Sequence, residues 1–206
     1  MSGGSIILEP KQMFQTLSEM EKATQDLLKL IQDVSAVLEA VSILTFAFGL
    51  GELIKMAEQA INQVGNAVVA ANNAFNSACK DVVNQLVDKF ASEGAKSDYG
   101  SPAFIEITIK INVADRAQIY PQAMRALFDD NKQKNGQVGN KTNDMRDIYR
   151  QTSNFWVGES ADKTRSSFES RIVPRFEDML DVLNKIVELG FGWVEDAVKF
   201  ESSLGV

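Results

Sequence analysis

The sequence contains no histidine in 206 residues. Histidine is the commonest general base and the commonest metal ligand in proteins, so its absence argues against serine-triad hydrolysis and most metal-dependent chemistry. The catalytic option that remains is a tuned pair of carboxylates. Asp129 and Asp130, like Glu19 and Glu21, have the pattern of solvated helix faces instead. We therefore expect no catalytic residues, no metal site, no cofactor and no enzymatic activity.

Cysteine is almost as scarce, because Cys79 is the only one. One cysteine cannot form an intrachain disulfide, so cysteine usage leaves the cellular compartment open. Cys79 lies in an apparently helical stretch without a CxxC partner. We expect a small core residue there rather than a reactive thiol.

Positive charge and long apolar runs are also in short supply. The net charge is −7 and no Lys/Arg cluster is present, which argues against a nucleic-acid partner. The longest uncharged apolar run, Ala40 to Gly51, is shorter than the roughly 20 residues that a membrane-spanning helix needs. Residues 1–8 lack the basic start and apolar core of a signal peptide. Export would therefore use a route that does not read such a signal.

The first half of the chain has the apolar periodicity of two long helices. The first is predicted to begin at Pro10 and to run for roughly 35 residues, and the second to begin near Glu52. Phe48, Gly49 and Gly51 form the turn predicted between them. Gly, Ser, Asp and Pro then cluster in residues 92–102, which is typical of a linker.

A short stretch after this linker alternates apolar and polar residues. The odd positions from Ile105 to Val113 are apolar, which predicts a half-buried β-strand. Within the chain only Ser5 to Leu8 offers a modest pairing partner. The strand could pair with another chain or within this one, or the segment could lie extended along the helices.

The second half predicts two further helices around a short break at residues 154–160. One helix is expected over about 114–153, with a polar middle at 131–140 that either bends or is exposed and mobile. The other is expected from Glu159, with a kink at Pro174. At the break, Gly158 can leave the helical region of backbone space, and Trp156 can fill the space above the turn.

The two halves have the same order of elements, which indicates a tandem repeat of helical hairpins. We expect an N-terminal hairpin at residues 1–95, a linker at 96–104 and a C-terminal hairpin at 105–206. Two antiparallel hairpins bury their apolar seams by stacking. The predicted fold is all-α: an elongated four-helix bundle with one short β-strand between the hairpins.

The second half resembles the WXG family of small proteins exported by bacterial type VII (ESX) secretion systems. The resemblance is carried by a short extended start, a long helix, Trp156-Val157-Gly158 and a second long helix. It implies a hairpin of the kind that dimerises into four-helix bundles. It also implies that the protein is cytoplasmic before export and is then secreted without a cleaved signal peptide. The first half has no Trp at its turn. The family's export signal, Tyr-x-x-x-Asp/Glu, is carried over to Phe191 and Glu195.

The resemblance implies a non-enzymatic secretion substrate or adaptor that acts through protein–protein contacts, as a single-chain mimic of a WXG dimer. The expected partners are the type VII machinery and a larger co-secreted protein, with a homodimer as a further option. The alternative is a membrane-active helical protein that inserts the apolar tip of its first hairpin, Ile43 to Gly51.

Overall fold

The computed structural model describes residues 7–44, 50–90, 99–110 and 120–204, and these are mainly helical. The all-α class predicted from the sequence is confirmed. In chain order the elements are β1 (Ile7–Leu8), α1 (Pro10–Leu44), α2 (Leu50–Phe90), α3 (Pro121–Gln151), a 3₁₀ turn (Thr152–Asn154), β2 (Trp156–Val157), α4 (Glu159–Arg171) and α5 (Val173–Leu204).

The first helix matches its prediction closely. It begins at Pro10, where proline is tolerated because the first-turn N–H groups have no helical partner, and it runs for 35 residues. The turn predicted after α1 falls partly outside the described residues: Gly51 lies within α2, whereas Phe48 and Gly49 lie outside them. Residues 45–49 of the apolar tip lie outside them as well.

The polar middle of α3 contains buried amides that its polarity did not predict. The helix continues through residues 131–140, where Asn131 and Asn135 are buried at 1% and 0% exposure and Val138 is also buried. Most of the remaining positions in this stretch, such as Lys132 and Gln133, are exposed, as in a surface helix. The polarity of the stretch did not predict the two buried amides, which are small enough to lie on the packed face of the helix. The helix begins at Pro121, and residues 111–119 before it are outside the described part of the chain.

The predicted kink near Pro174 separates two helices. α4 ends at Arg171, Ile172 forms the break, and α5 begins at Val173. Proline cannot donate the backbone hydrogen bond that would continue α4, and it is well tolerated at the second position of a new helix.

Residues 99–110 have no regular secondary structure, so the strand predicted over Ile105 to Val113 is wrong for its described part. Residues 111–113 lie outside it. Ile107 and Ile109 are buried, and their backbone N–H groups donate to side chains of α2. The alternation reflects burial of one face of this segment against helices, which was the third option left open above.

The described residues form two compact units, each built from three stretches of sequence. Unit 1 takes them from 1–28, 67–104 and 140–177, and unit 2 from 29–66, 105–139 and 178–206. Each unit has its own apolar core. The division into residues 1–95, 96–104 and 105–206 stays a prediction.

Candidate functional site

The break between α3 and α4, hereafter the elbow (residues 154–158), is built around one glycine. Gly158 has φ 132° and ψ 167°, a conformation that is almost restricted to glycine because a Cβ would clash with the backbone. Its carbonyl accepts the N–H of Asp162 at 3.0 Å, which begins α4. The chain therefore reverses at Gly158 and enters the next helix immediately.

The elbow is held by the residues that precede α1. β1 and β2 pair antiparallel, with Ile7 opposite Val157 and Leu8 opposite Trp156. The Glu9 N–H adds a hydrogen bond to the Phe155 carbonyl at 2.9 Å. The sequence suggested residues 5–8 as a partner for the 105–113 strand. Their described part instead pairs with the elbow.

Trp156 anchors the elbow in the core of unit 1. Its side chain is 4% exposed and lies in a buried cluster that α1, α2, the elbow and α4 share. The members of this cluster are Met13, Val83, Val87, Phe155, Trp156 and Ala161, with Leu8 and Phe14 partly buried against it. Burial of an indole of this size makes the elbow a packed element of the fold rather than a surface loop.

Arg165 of α4 links the elbow to the 3₁₀ turn before it and to α4 after it. Its Nη1 donates to the Trp156 carbonyl at 2.9 Å and to Thr152 Oγ1 at 3.2 Å, and its Nη2 donates to Asp162 Oδ1 at 2.6 Å. No sequence pattern predicted a role for this residue. Its role depends on the folding back of α4 onto the elbow, and no short motif marks it.

A buried polar network lies next to the elbow in unit 1. The Tyr149 hydroxyl of α3 donates to Asn76 Oδ1 of α2 at 2.5 Å and lies 3.6 Å from Cys79 Sγ. Burial raises the pKa of the Tyr149 hydroxyl well above its ordinary value and raises the pKa of the Cys79 thiol to about 11. Cys79 is 4% exposed, so the predicted core cysteine is confirmed.

An open groove of about 560 Å³ runs between α2 and α4 of unit 1, and the elbow contributes Trp156 to its lining. Its apolar lining includes Phe75 and Val82 of α2, and its polar edge carries Lys163 of α4 and Arg175 of α5. We call it the α2–α4 groove. No sequence pattern predicted this groove, since its walls come from residues about 90 positions apart along the chain.

The two residues of the suggested export signal lie in unit 2 and both have partners there. The Phe191 ring packs against Phe128 of α3 with ring centroids 5.6 Å apart. Glu195 Oε1 accepts hydrogen bonds from Arg125 Nε at 3.0 Å and Nη2 at 2.7 Å. The aromatic and acidic side chains are thus four residues apart on α5 and both face α3.

Within the described ranges, no group of three or more acidic or cysteine side chains is placed to hold a metal ion. No described helix has a stretch long and apolar enough to cross a bilayer.

Comparison with known proteins gives no identification: the chain matches no protein-family model, no curated protein sequence and no solved structure.

Proposed function

We propose that this chain is a non-enzymatic substrate or adaptor of a type VII secretion system that acts through protein–protein contacts. The observation that carries the proposal is the elbow. Trp156 and Gly158 stand at a helix–turn–helix reversal where the tryptophan is buried and the glycine has φ 132°. These are the positions at which the resemblance to WXG proteins requires a tryptophan and a glycine.

The proposed architecture is a four-helix bundle in which two hairpins of one chain replace a dimer. Contacts within unit 1 support it. Asn72 of α2 donates to Thr24 of α1 at 2.9 Å, and Lys141 of α3 lies 3.5 Å from Asp26 of α1. Arg146 of α3 pairs with Glu169 of α4, which holds the pKa of Glu169 below its ordinary value. Fusing two hairpins raises their effective concentration to roughly the millimolar range.

The proposed partners are the secretion machinery and a larger co-secreted protein. Phe191 and Glu195 would form the export signal, which the machinery would read in place of a cleaved signal peptide. The chain would be cytoplasmic before export and secreted afterwards.

Export is tested by expressing the tagged chain in a bacterium that has a type VII system, with and without its secretion ATPase. We expect the protein in the medium only when the ATPase is present. Phe191→Ala with Glu195→Ala should lower the secreted fraction by about tenfold, a loss typical of a lost recognition contact. The matched control is Phe200→Ala with Glu201→Ala, which removes an exposed aromatic and an acid from the same helix. Secretion that does not depend on the ATPase would overturn the proposal.

The single-chain architecture has a separate test in light scattering coupled to size exclusion. We expect a mass near 22.7 kDa that does not change with concentration. A stable mass of twice that value would mean that a second chain completes the bundle, and the single-chain mimic would be wrong.

A further inference from the structure

We propose that the α2–α4 groove is a docking site for one amphipathic helix of a partner protein, a helix with an apolar row flanked by acidic residues. The inference rests on the proposed function only in that the chain acts through protein contacts. It does not require export.

The groove has the shape to receive a helix. On the α2 wall the side chains are small at a spacing of three and four residues, and the α4 wall repeats this spacing. The α2 positions are Ala71, Ala74, Ala78 and Val82, with the larger Phe75 between them, and the α4 positions are Ser160, Thr164 and Ser167, followed by the larger Arg171. Each wall spans about 16 Å at 1.5 Å per residue, or about three helical turns. Small residues at this spacing leave room for the larger side chains of a third helix.

The part of the groove that would contact the apolar row of a bound helix is itself apolar. Ala74 and Ala78 are exposed and Val82 is 40% exposed, although all three lie on the helix that supplies the core of unit 1. Beneath them the lining is closed by Cys79, which is buried, and by Trp156 of the elbow.

The charge of the groove indicates which charged residues should flank the apolar row of the bound helix. Among the residues that the structure describes, three cations line it, Lys163, Arg171 and Arg175, and no carboxylate does. Lys163 pairs with Glu159 at 2.6 Å, whereas Arg171 and Arg175 have no ion pair among the described residues. This is unusual in a chain with 28 acidic and 21 basic residues. Acidic side chains beside the apolar row would satisfy both arginines and select against basic helices.

The probe is a designed, fluorescein-labelled peptide of about 18 residues with leucines at i, i+3, i+4 and i+7 and glutamates on both flanks. Its matched control carries lysine at every glutamate position. Fluorescence anisotropy with the full chain measures both affinities. We expect the glutamate peptide to bind at least about tenfold more tightly than the lysine peptide, and the difference to shrink between about 50 and 500 mM salt.

Two pairs of variants locate the site. Ala74→Trp fills the groove and should weaken binding of the glutamate peptide by about tenfold or more, whereas Ala70→Trp lies one turn earlier on α2, outside the lining, and should change it less than about twofold. Arg171→Glu should also weaken binding, by about tenfold, and Lys185→Glu of unit 2 should leave it unchanged. All four positions are exposed or surface-facing, and circular dichroism melting confirms that each variant is folded.

Three results would overturn the inference. The first is equal binding of the two peptides, or binding of neither. The second is equal loss with Ala74→Trp and Ala70→Trp. The third is self-association of the chain that Ala74→Trp abolishes, which would assign the groove to a second copy. Binding is measured with purified protein and export in cells, so failure of this inference is distinct from failure of the proposed function.

Discussion

The side-chain amide of Asn62 forms two hydrogen bonds with the backbone of Ile107. Its Nδ2 donates to the Ile107 carbonyl at 2.7 Å, and its Oδ1 accepts the Ile107 N–H at 2.8 Å. Two residues later the Ile109 N–H donates to Glu58 Oε2 at 2.5 Å. α2 thus provides this segment with the partners that a neighbouring strand would otherwise provide.

Replacing Asn62 with alanine should loosen the segment around Ile107. The change leaves a backbone donor and a backbone acceptor without their partner, which costs about 1–3 kcal/mol of unfolding free energy. Hydrogen exchange at the Ile107 amide should become faster. Asn66→Ala removes an exposed asparagine one turn along α2 and is the control. An unchanged exchange rate of the Ile107 amide in Asn62→Ala would show that the two hydrogen bonds from Asn62 do not hold this segment.

Two glycines of α5 should respond oppositely to alanine. A Cβ at Gly190 would lie 2.2 Å from Cε1 of Phe128, a side chain that is 1% exposed and has little room to move. We expect Gly190→Ala to lower the unfolding free energy by about 1–3 kcal/mol through overpacking. A Cβ at Gly192 meets nothing within 4 Å, so Gly192→Ala should raise it by about 0.5–1 kcal/mol. Urea denaturation measures both, and equal signs would refute the packing argument.

Asn131 is buried at 1% exposure, and neither its Oδ1 nor its Nδ2 has a hydrogen-bond partner among the described residues. Leucine has a similar shape and no polar atoms to desolvate. Asn131→Leu should therefore raise the unfolding free energy, by about 1–3 kcal/mol.

The control for this substitution is Asn135→Leu. Asn135 Nδ2 donates to Asn184 Oδ1 at 3.2 Å, so the same change there loses a hydrogen bond and should stabilise less. The melting temperatures of the two variants show which substitution stabilises the protein more. A lower melting temperature for Asn131→Leu than for wild type would show that the buried amide has a structural partner.

Cys79 should make the protein less stable in alkali. Burial raises its folded-state pKa from 9.0 to about 11, so between these values the unfolded chain loses the thiol proton and the folded chain keeps it. The unfolding free energy therefore falls as pH rises through this window, by up to about 3 kcal/mol. Below pH 9 the Cys79 thiol keeps its proton in both the folded and the unfolded chain, so its ionisation does not lower the unfolding free energy there.

Cys79→Ala should reduce this alkaline slope in urea titrations between pH 8 and pH 11. It should not abolish it, because burial raises the pKa of Tyr149 and Tyr99 too. Identical slopes in wild type and Cys79→Ala would contradict the assignment.

The helices were predictable because local chemistry sets them. α1 begins at Pro10, and α4 ends before Pro174, which has no N–H to continue the helix. Both effects depend on only a few neighbouring residues. Gly158 is similar, since its required backbone conformation is an intrinsic property of glycine.

Other features depend on tertiary neighbours and were not predictable. Ile107 and Ile109 are buried and their backbone N–H groups donate to α2 side chains, while Ile105 is 64% exposed, so packing against a helix produced the pattern that normally indicates a sheet. Asn135 is polar yet buried. The contacts of Arg165 and the α2–α4 groove form only once distant stretches have come together in unit 1.

The pairing of β1 with β2 sets a constraint on the order of events during synthesis. Ile7 leaves the ribosome about 150 residues before Val157, its partner, which at 5–20 residues per second is a delay of roughly 7–30 s. Throughout that interval α1 can form its own hydrogen bonds, but its N-terminal end has no elbow to pair with. The pairing of Ile7 and Leu8 with the elbow therefore waits until about 150 further residues have been made, and a chaperone that acts on the nascent chain meets this segment while its pairing is incomplete.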